Sequence, residues 1–219
     1  MNFSIAEENY IKGIYHLQQG HTTVTTNLLA NELQTKPASV TDMLQKLQSK
    51  KILEYEKYKG FKLNATGSKI ALNIIRRHRL WEFFLVHKLG FAWDKVHSIA
   101  EELEHVSSAE LITRLDSFLN HPQTDPHGDP IPDTNGKIIR IKQVSLAEIE
   151  EKKTASVSSV GNQSTEMLEL LKHYNIGIGT QLKIIRRFEF DGSVEIKVSR
   201  QNNCIISGQV AKNIFVHND

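Results

Sequence analysis

Apolar positions in the first part of the chain recur three and four residues apart, the spacing of one helix face. Ile11, Ile14 and Tyr15 share such a face in a helix from about Ile5 to Gln19, which Ser4 can cap and Gly20 ends. Thr26 then opens a short helix, Asn27 to Leu33, and after a break at Gln34 to Lys36 a third helix begins with Pro37 in its first turn. That helix turns Val40, Met43, Leu44 and Leu47 inward and leaves Ala38, Ser39, Thr41, Asp42, Gln45 and Lys46 outside. Ile52 to Lys57 and Phe61 to Asn64 read as two strands joined across Tyr58, Lys59 and Gly60. Helix, turn, helix and basic hairpin in this order predict a winged helix-turn-helix.

Farther along, Thr66 is placed to cap a long helix reaching about Lys88, apolar on nearly all sides. Shorter helices follow around Val96 to Val106 and Ser108 to Leu119. These cannot cover all of Trp81, Phe83, Phe84, Leu85 and Phe118, so a second subunit is the expected cover, in an isologous homodimer. From Asn120 to Gly136 the chain is rich in Pro, Asp, Gly and His; Pro126 and Pro130 fix the backbone around His127. After Lys137 the period changes to that of short strands: Ile138 to Ile141, Ala155 to Val160, Leu182 to Phe188, Ser193 to Val198 and Cys204 to Ile206. Turns at Asp191-Gly192 and Asn202-Asn203 and one helix, Glu166 to Tyr174, complete a small β-barrel. The expected fold is mainly α with a β C-terminal domain, divided into residues 1–72, 73–136 and 137–219.

Composition narrows the function classes. At 39% hydrophobic and 24% charged over 219 residues, the chain reads as an ordinary globular protein. The single cysteine, Cys204, excludes an internal disulfide and a cysteine-based zinc site. No apolar run approaches membrane-spanning length and the start lacks signal-peptide features, so a cytoplasmic protein without membrane association is expected. Net charge is only +2, but eight lysines lie between Lys36 and Lys69 against Asp42, Glu54 and Glu56. This places double-stranded DNA against the third helix and hairpin. Thr26, Lys36, Pro37, Ser39, Thr41, Asp42, Lys46, Lys57 and Lys59 are the candidate contacts, the lysines for phosphates and the short polar groups for base edges.

The remaining chemistry is of one kind. His97, Glu101, Glu104 and His105 fall within roughly 100° of one another around a helix, beside an apolar stripe of Val96, Ile99, Leu103 and Val106. His78 and Glu82 are one turn apart on the long helix, and Asp125 and His127 lie in the proline-rich loop. Carboxylates packed together need a cation, so a divalent-metal site is expected. No HExxH or comparable catalytic spacing occurs, and neither a catalytic residue nor a small-molecule substrate is expected. A metallohydrolase carrying a DNA-binding domain is the alternative from the enzyme class.

PASVTDMLQKL (37–47), YEKYKGFKLNATG (55–67), RHRLWEFFL (77–85), EHV (104–106) and DPHGDPIP (125–132) together resemble the diphtheria toxin repressor family, most of all its manganese transport regulators. The resemblance is dense over about 1–132 and looser beyond, where LLKHYNIGIGTQLKI (170–184) is similar to the family's SH3-like, FeoA-like domain. It implies a metal-activated transcription repressor of metal-ion homeostasis that binds operator DNA as a dimer. One implied metal site comprises Glu101, Glu104 and His105 with Asn9, or Glu8 beside it, from the first helix; a second comprises His78, Glu82 and His97, with Asp125 and His127. The manganese branch has an acidic residue where this chain has Lys12, a departure that questions a two-ion arrangement. The ligand set is wholly nitrogen and oxygen, which suits Mn(II) or Fe(II). Glu101 stands where the iron-sensing branch tends to have Cys, which favours manganese.

Overall fold

The structure, a computed structural model, describes residues 2–21, 23–56, 60–106, 108–139, 142–199 and 203–217. The chain forms two compact units: Met1–His78 with Glu102–Ile112 and Pro132–Ile138, and Arg79–Glu101 with Thr113–Ile131 and Ile139–Asp219.

In the first unit, α1 (Ile5–Gln18) starts at a reciprocal cap in which the Glu7 amide donates to Ser4 Oγ and the Ser4 amide donates to Glu7 Oε2. Helix α2 (Thr26–Glu32) is capped by Thr25 rather than Thr26, because Thr25 is the residue with extended backbone whose Oγ1 accepts from the Leu28 amide. Pro37 opens α3 (Pro37–Ser49), where its missing N–H costs nothing. Ile11 and Ile14 of α1, Leu29 of α2, and Val40 and Leu47 of α3 are fully buried and meet Ile52 and Phe61 in one core.

Strands β1 (Leu53–Glu56) and β2 (Gly60–Leu63) pair antiparallel, Leu53 opposite Leu63 and Tyr55 opposite Phe61. Residues 57–59, with the expected contacts Lys57 and Lys59, lie outside the described residues. Gly60 adopts φ +122°, and a Cβ there would come within 2.3 Å of the Val24 carbonyl oxygen. Only glycine lets Phe61 exchange both backbone bonds with Val24 and so dock the hairpin on the segment before α2. Helix α4 (Ala65–His87) is capped by Asn64, not Thr66: Asn64 Oδ1 accepts from the Gly67 amide at 2.9 Å. Helices α4, α5 (His97–Val106) and α6 (Ala109–Phe118) contribute residues to both units.

The second unit holds, among the described residues, a six-stranded antiparallel sheet of order β3-β8-β4-β5-β6-β7. Its strands are β3 (Val144–Ser145), β4 (Thr154–Val160), β5 (Gln181–Arg187), β6 (Val194–Val198), β7 (Asn203–Ile206) and β8 (Ile214–His217). Helices α7 (Thr165–His173) and α8 (Gly208–Lys212) accompany them. Val157, Val160, Leu168, Leu171, Leu182, Ile184, Ile196 and Val216 form its core, with Trp93 packed against it. The sequence reading missed β3, β8 and α8, which are too short to show a period. It also placed a strand at 138–141, where Ile138 and Ile139 have no strand partner and 140–141 lie outside the described residues.

Replacing Leu47, fully buried in α3, by Ala should lower the unfolding free energy by about 2–5 kcal/mol. The exposed neighbour Gln45→Ala should change it by no more than about 0.5 kcal/mol. Urea unfolding of both variants checks the orientation of the helix; equal losses would mean that it is wrong.

Candidate metal centre and nucleic-acid face

In the second unit, ligand atoms of Glu82, Asp125 and His127 lie within 4.8 Å of one another, and all three residues are buried. Glu82 comes from α4, while Asp125 and His127 come from a loop closed by a bridge between Thr124 and Pro130. Asp125 shapes this loop itself: its Oδ1 accepts from the amides of His127 (2.8 Å) and Asp129 (3.0 Å). Arg79, one turn before Glu82 on α4, donates to the Pro130 carbonyl and to Asp129 Oδ2, and its Nε stands 3.4 Å from Asp125 Oδ2.

The loop is also fastened to the sheet. The Val160 amide of β4 donates to the His127 carbonyl, and Gln163 donates to Asp129. Gly128, at φ +88°, passes so close to β4 that a Cβ would come within 2.0 Å of the Ser158 carbonyl oxygen.

His127 has its two ring nitrogens in different settings. Nε2 is 2.9 Å from the Trp93 carbonyl, which can only accept, so Nε2 carries the proton. Nδ1 is buried without a hydrogen-bond partner, and Glu82 Oε2 is 3.7 Å away, beyond hydrogen-bond reach. A neutral imidazole held in this tautomer by a carbonyl behind it is the usual arrangement of a metal-ligating histidine. Burial, reinforced by the Asp129 and Glu82 carboxylates and opposed by Arg79 and His127, pushes Asp125 up to about 7. Burial pulls the His127 imidazolium down, but Glu82, Asp125 and the Trp93 carbonyl outweigh it and raise the group. The orphaned nitrogen and the adjacent carboxylates fit a divalent cation. Beside them His97 Nδ1 is 3.3 Å from Glu82 Oε1, and His97 Nε2 is 4.0 Å from Glu101. Glu166 is exposed and Glu169 pairs with Lys95 at 2.9 Å, so neither joins the trio.

The first unit contains the other expected ligands in a different arrangement. Glu104, fully buried, receives Lys12 Nζ at 2.7 Å and His105 Nε2 at 3.4 Å on Oε1, and His78 Nδ1 at 2.6 Å on Oε2. Burial pushes the Glu104 carboxyl up, but His78 and Lys12 prevail and hold it below its ordinary value. Glu8 binds Arg77 at 2.7 Å and His105 at 2.6 Å, while the carbonyl oxygen of Asn9 is buried without a partner. Among the described residues, Glu104 and His105 belong to no trio of ligand atoms within 4.8 Å.

On α3 of the same unit, Pro37, Ser39, Thr41, Asp42 and Lys46 are exposed, as is Lys36 just before it. Thr26 is half-buried in the first turn of α2. Thr41 donates its hydroxyl hydrogen to the Pro37 carbonyl, leaving its oxygen lone pairs and methyl group outward. Sequence reading missed Arg79 and Trp93. Arg79 was detectable, since a residue three before Glu82 shares its helix face; a backbone carbonyl such as that of Trp93 leaves no sequence signal.

Residues 2–61 match a family described as the iron dependent repressor, N-terminal DNA binding domain. Residues 64–133 match its metal binding and dimerisation domain, and residues 144–218 a FeoA domain. The chain is 36% identical over 118 residues to the HTH-type transcriptional regulator MntR of Oceanobacillus iheyensis, covering 54% of this chain and 80% of that protein. It is 32% identical to the iron-dependent repressor IdeR of Mycobacterium leprae over 57% of this chain, and the match spans just over half of that relative, 54%. A solved manganese-dependent transcriptional repressor in complex with manganese superposes with TM-score 0.86 at 30% identity, covering 97% of this chain and 99% of that one. The IdeR structure of T. acidophilum gives 0.76 at 26% identity, with both chains wholly covered.

Asp125 and His127 both hold protons more tightly in the folded protein than in the unfolded chain, where they titrate near 3.8 and 6.5. The stability Asp125 contributes is complete below about pH 4 and is lost as pH rises through about 7. In metal-free protein, wild type should therefore lose stability relative to Asp125→Asn between those two pH values. Urea unfolding across that range measures the difference, and a constant difference would mean that Asp125 titrates normally.

Proposed function

Because the chain belongs to the family of iron-dependent repressors and their manganese-dependent relatives, we infer that it is a transcription repressor that binds operator DNA as a homodimer when loaded with a divalent metal ion. The observation that carries this reading is the buried trio Glu82, Asp125 and His127, with the His127 Nδ1 lone pair directed at no protein donor. These three residues would hold the ion, with His97 beside Glu82. A bound divalent ion supplies the positive charge that lets carboxylates and an unprotonated imidazole share one buried volume.

The donors are oxygen and nitrogen throughout, and Cys204 is in β7, away from the loop in sequence and element. Such donors suit Mn(II), which we favour, and the alternative Fe(II), whereas a thiolate would have argued for zinc or copper. The similar solved structure of a manganese-dependent repressor in complex with manganese supports the same order.

The exposed side of α3 supplies what a DNA face needs. Thr41 and Asp42 stand mid-helix with Ser39 before them, suited to base edges, and Lys36 and Lys46 flank them, suited to phosphates. In the second unit, Leu89, Phe91 and Phe118 are exposed apolar side chains. A second copy of the chain would cover them and present two α3 helices to a two-fold symmetric site. No residue is assigned a catalytic role, and no turnover of a substrate is expected. A division into DNA-binding residues 1–72, metal-binding and dimerisation residues 73–136 and a C-terminal domain 137–219 fits this reading.

Binding should be measured on DNA selected from a random pool by the Mn(II)-loaded protein, with the apo-protein titrated anaerobically by Mn(II) and by Fe(II). Metal should tighten DNA binding by roughly 5- to 150-fold, and DNA should tighten metal binding by the same factor. Asp125→Asn should remove this dependence. Lys46→Ala should weaken binding to all sequences and reduce the salt slope by about one, whereas Thr41→Ala or Asp42→Ala should change which sequence is preferred. DNA affinity indifferent to both metals would refute the reading.

A further inference from the structure

Helix α1 places two side chains one turn apart against the first unit's part of α4 and α5. Lys12 and Glu104 are separated by 92 positions in the chain, yet Nζ and Oε1 meet at 2.7 Å. Both are withdrawn from water: the Lys12 side chain is 12% exposed and that of Glu104 is not exposed at all. Glu104 turns its other oxygen to His78. Glu8, the preceding turn of α1, is taken up by Arg77 and His105. Each of these two carboxylates therefore already faces a cationic side chain supplied by the protein.

That differs in kind from the Glu82 trio. There the atom directed at the centre is an imidazole nitrogen with a free lone pair, able to ligate an ion. At Glu104 the corresponding position is filled by an ammonium group, which has three donors and no lone pair and repels a second cation. An ion entering at Glu104 would have to expel the Lys12 ammonium group from a 2.7 Å contact in a largely dry site.

We propose that Lys12 is a built-in cation: its ammonium group holds Glu104 in place of a metal ion, so that each chain binds a single activating ion, at Glu82, Asp125 and His127. The clamp of α1 to α4 and α5 is then permanent rather than metal-dependent. This inference rests on the repressor reading and specifies how many ions that reading requires.

Full-length protein is titrated with Mn(II) alone, and free ion is counted by its six-line electron paramagnetic resonance signal. Wild type should take up one ion per chain and Asp125→Asn should lose that ion, its affinity falling at least tenfold. Lys12→Glu should take up two ions per chain. Should Lys12→Glu fail to fold, Lys12→Met replaces it, keeping the length of the side chain while removing the ammonium group from Glu104; it too should take up a second ion, more weakly. Two ions in the wild type, or the same number in wild type and in the folded Lys12 variant, would overturn the proposal while leaving a metal-dependent repressor intact. No Mn(II) uptake by the wild type would overturn the proposal, and DNA binding indifferent to both metals would overturn the repressor reading with it.

Discussion

A buried carboxylate must meet a positive charge or take up a proton, and the helical part of this chain is arranged around that requirement. Glu82, Glu104 and Asp125 are each nearly or wholly inaccessible to water. For Glu104 the solution is built from the chain itself, since an ammonium group and an imidazole hold its carboxyl below its ordinary value against the cost of burial. For Asp125 the solution is conditional. Two backbone amides and the more distant Arg79 do not outweigh burial and two neighbouring carboxylates, and the group rises to the point where proton and cation compete near neutral pH.

The two solutions separate roles that a row of like ligands would blur. A carboxylate satisfied by the protein's own lysine acts as a brace between helices. One satisfied by exchangeable species can report on the surroundings. The same distinction applies to the histidines: His105 is engaged by carboxylates, whereas His127 has one nitrogen anchored on a carbonyl and the other left open.

The helix-turn-helix was legible because its signals are local: a cap at Ser4, a proline at the start of α3, and inward residues at helical spacing. The ligand types on α4 and α5 were legible for the same reason. That Asp125 and His127 meet Glu82 was not readable from any period, because it depends on the path of a loop some forty residues later; only the family resemblance pointed to it. The pairing of Lys12 with Glu104 joins positions 92 residues apart and left no pattern, although the lysine stood out as a departure. In the C-terminal part the missed elements are two to five residues long, too short to show a period, and pairing partners rather than alternation define the missed strands.

The attachment of the His127 carbonyl to the Val160 amide has a further consequence. A loop that was free before ion binding would lose conformational entropy when its ligands were gathered, and that loss would weaken affinity. Here the ordering occurs during folding: β4 grips the loop, Gly128 lets the two backbones touch, and the imidazole is aimed before any ion arrives. The sheet of the C-terminal part therefore acts as a preorganising splint for the proposed site, holding the His127 loop from behind.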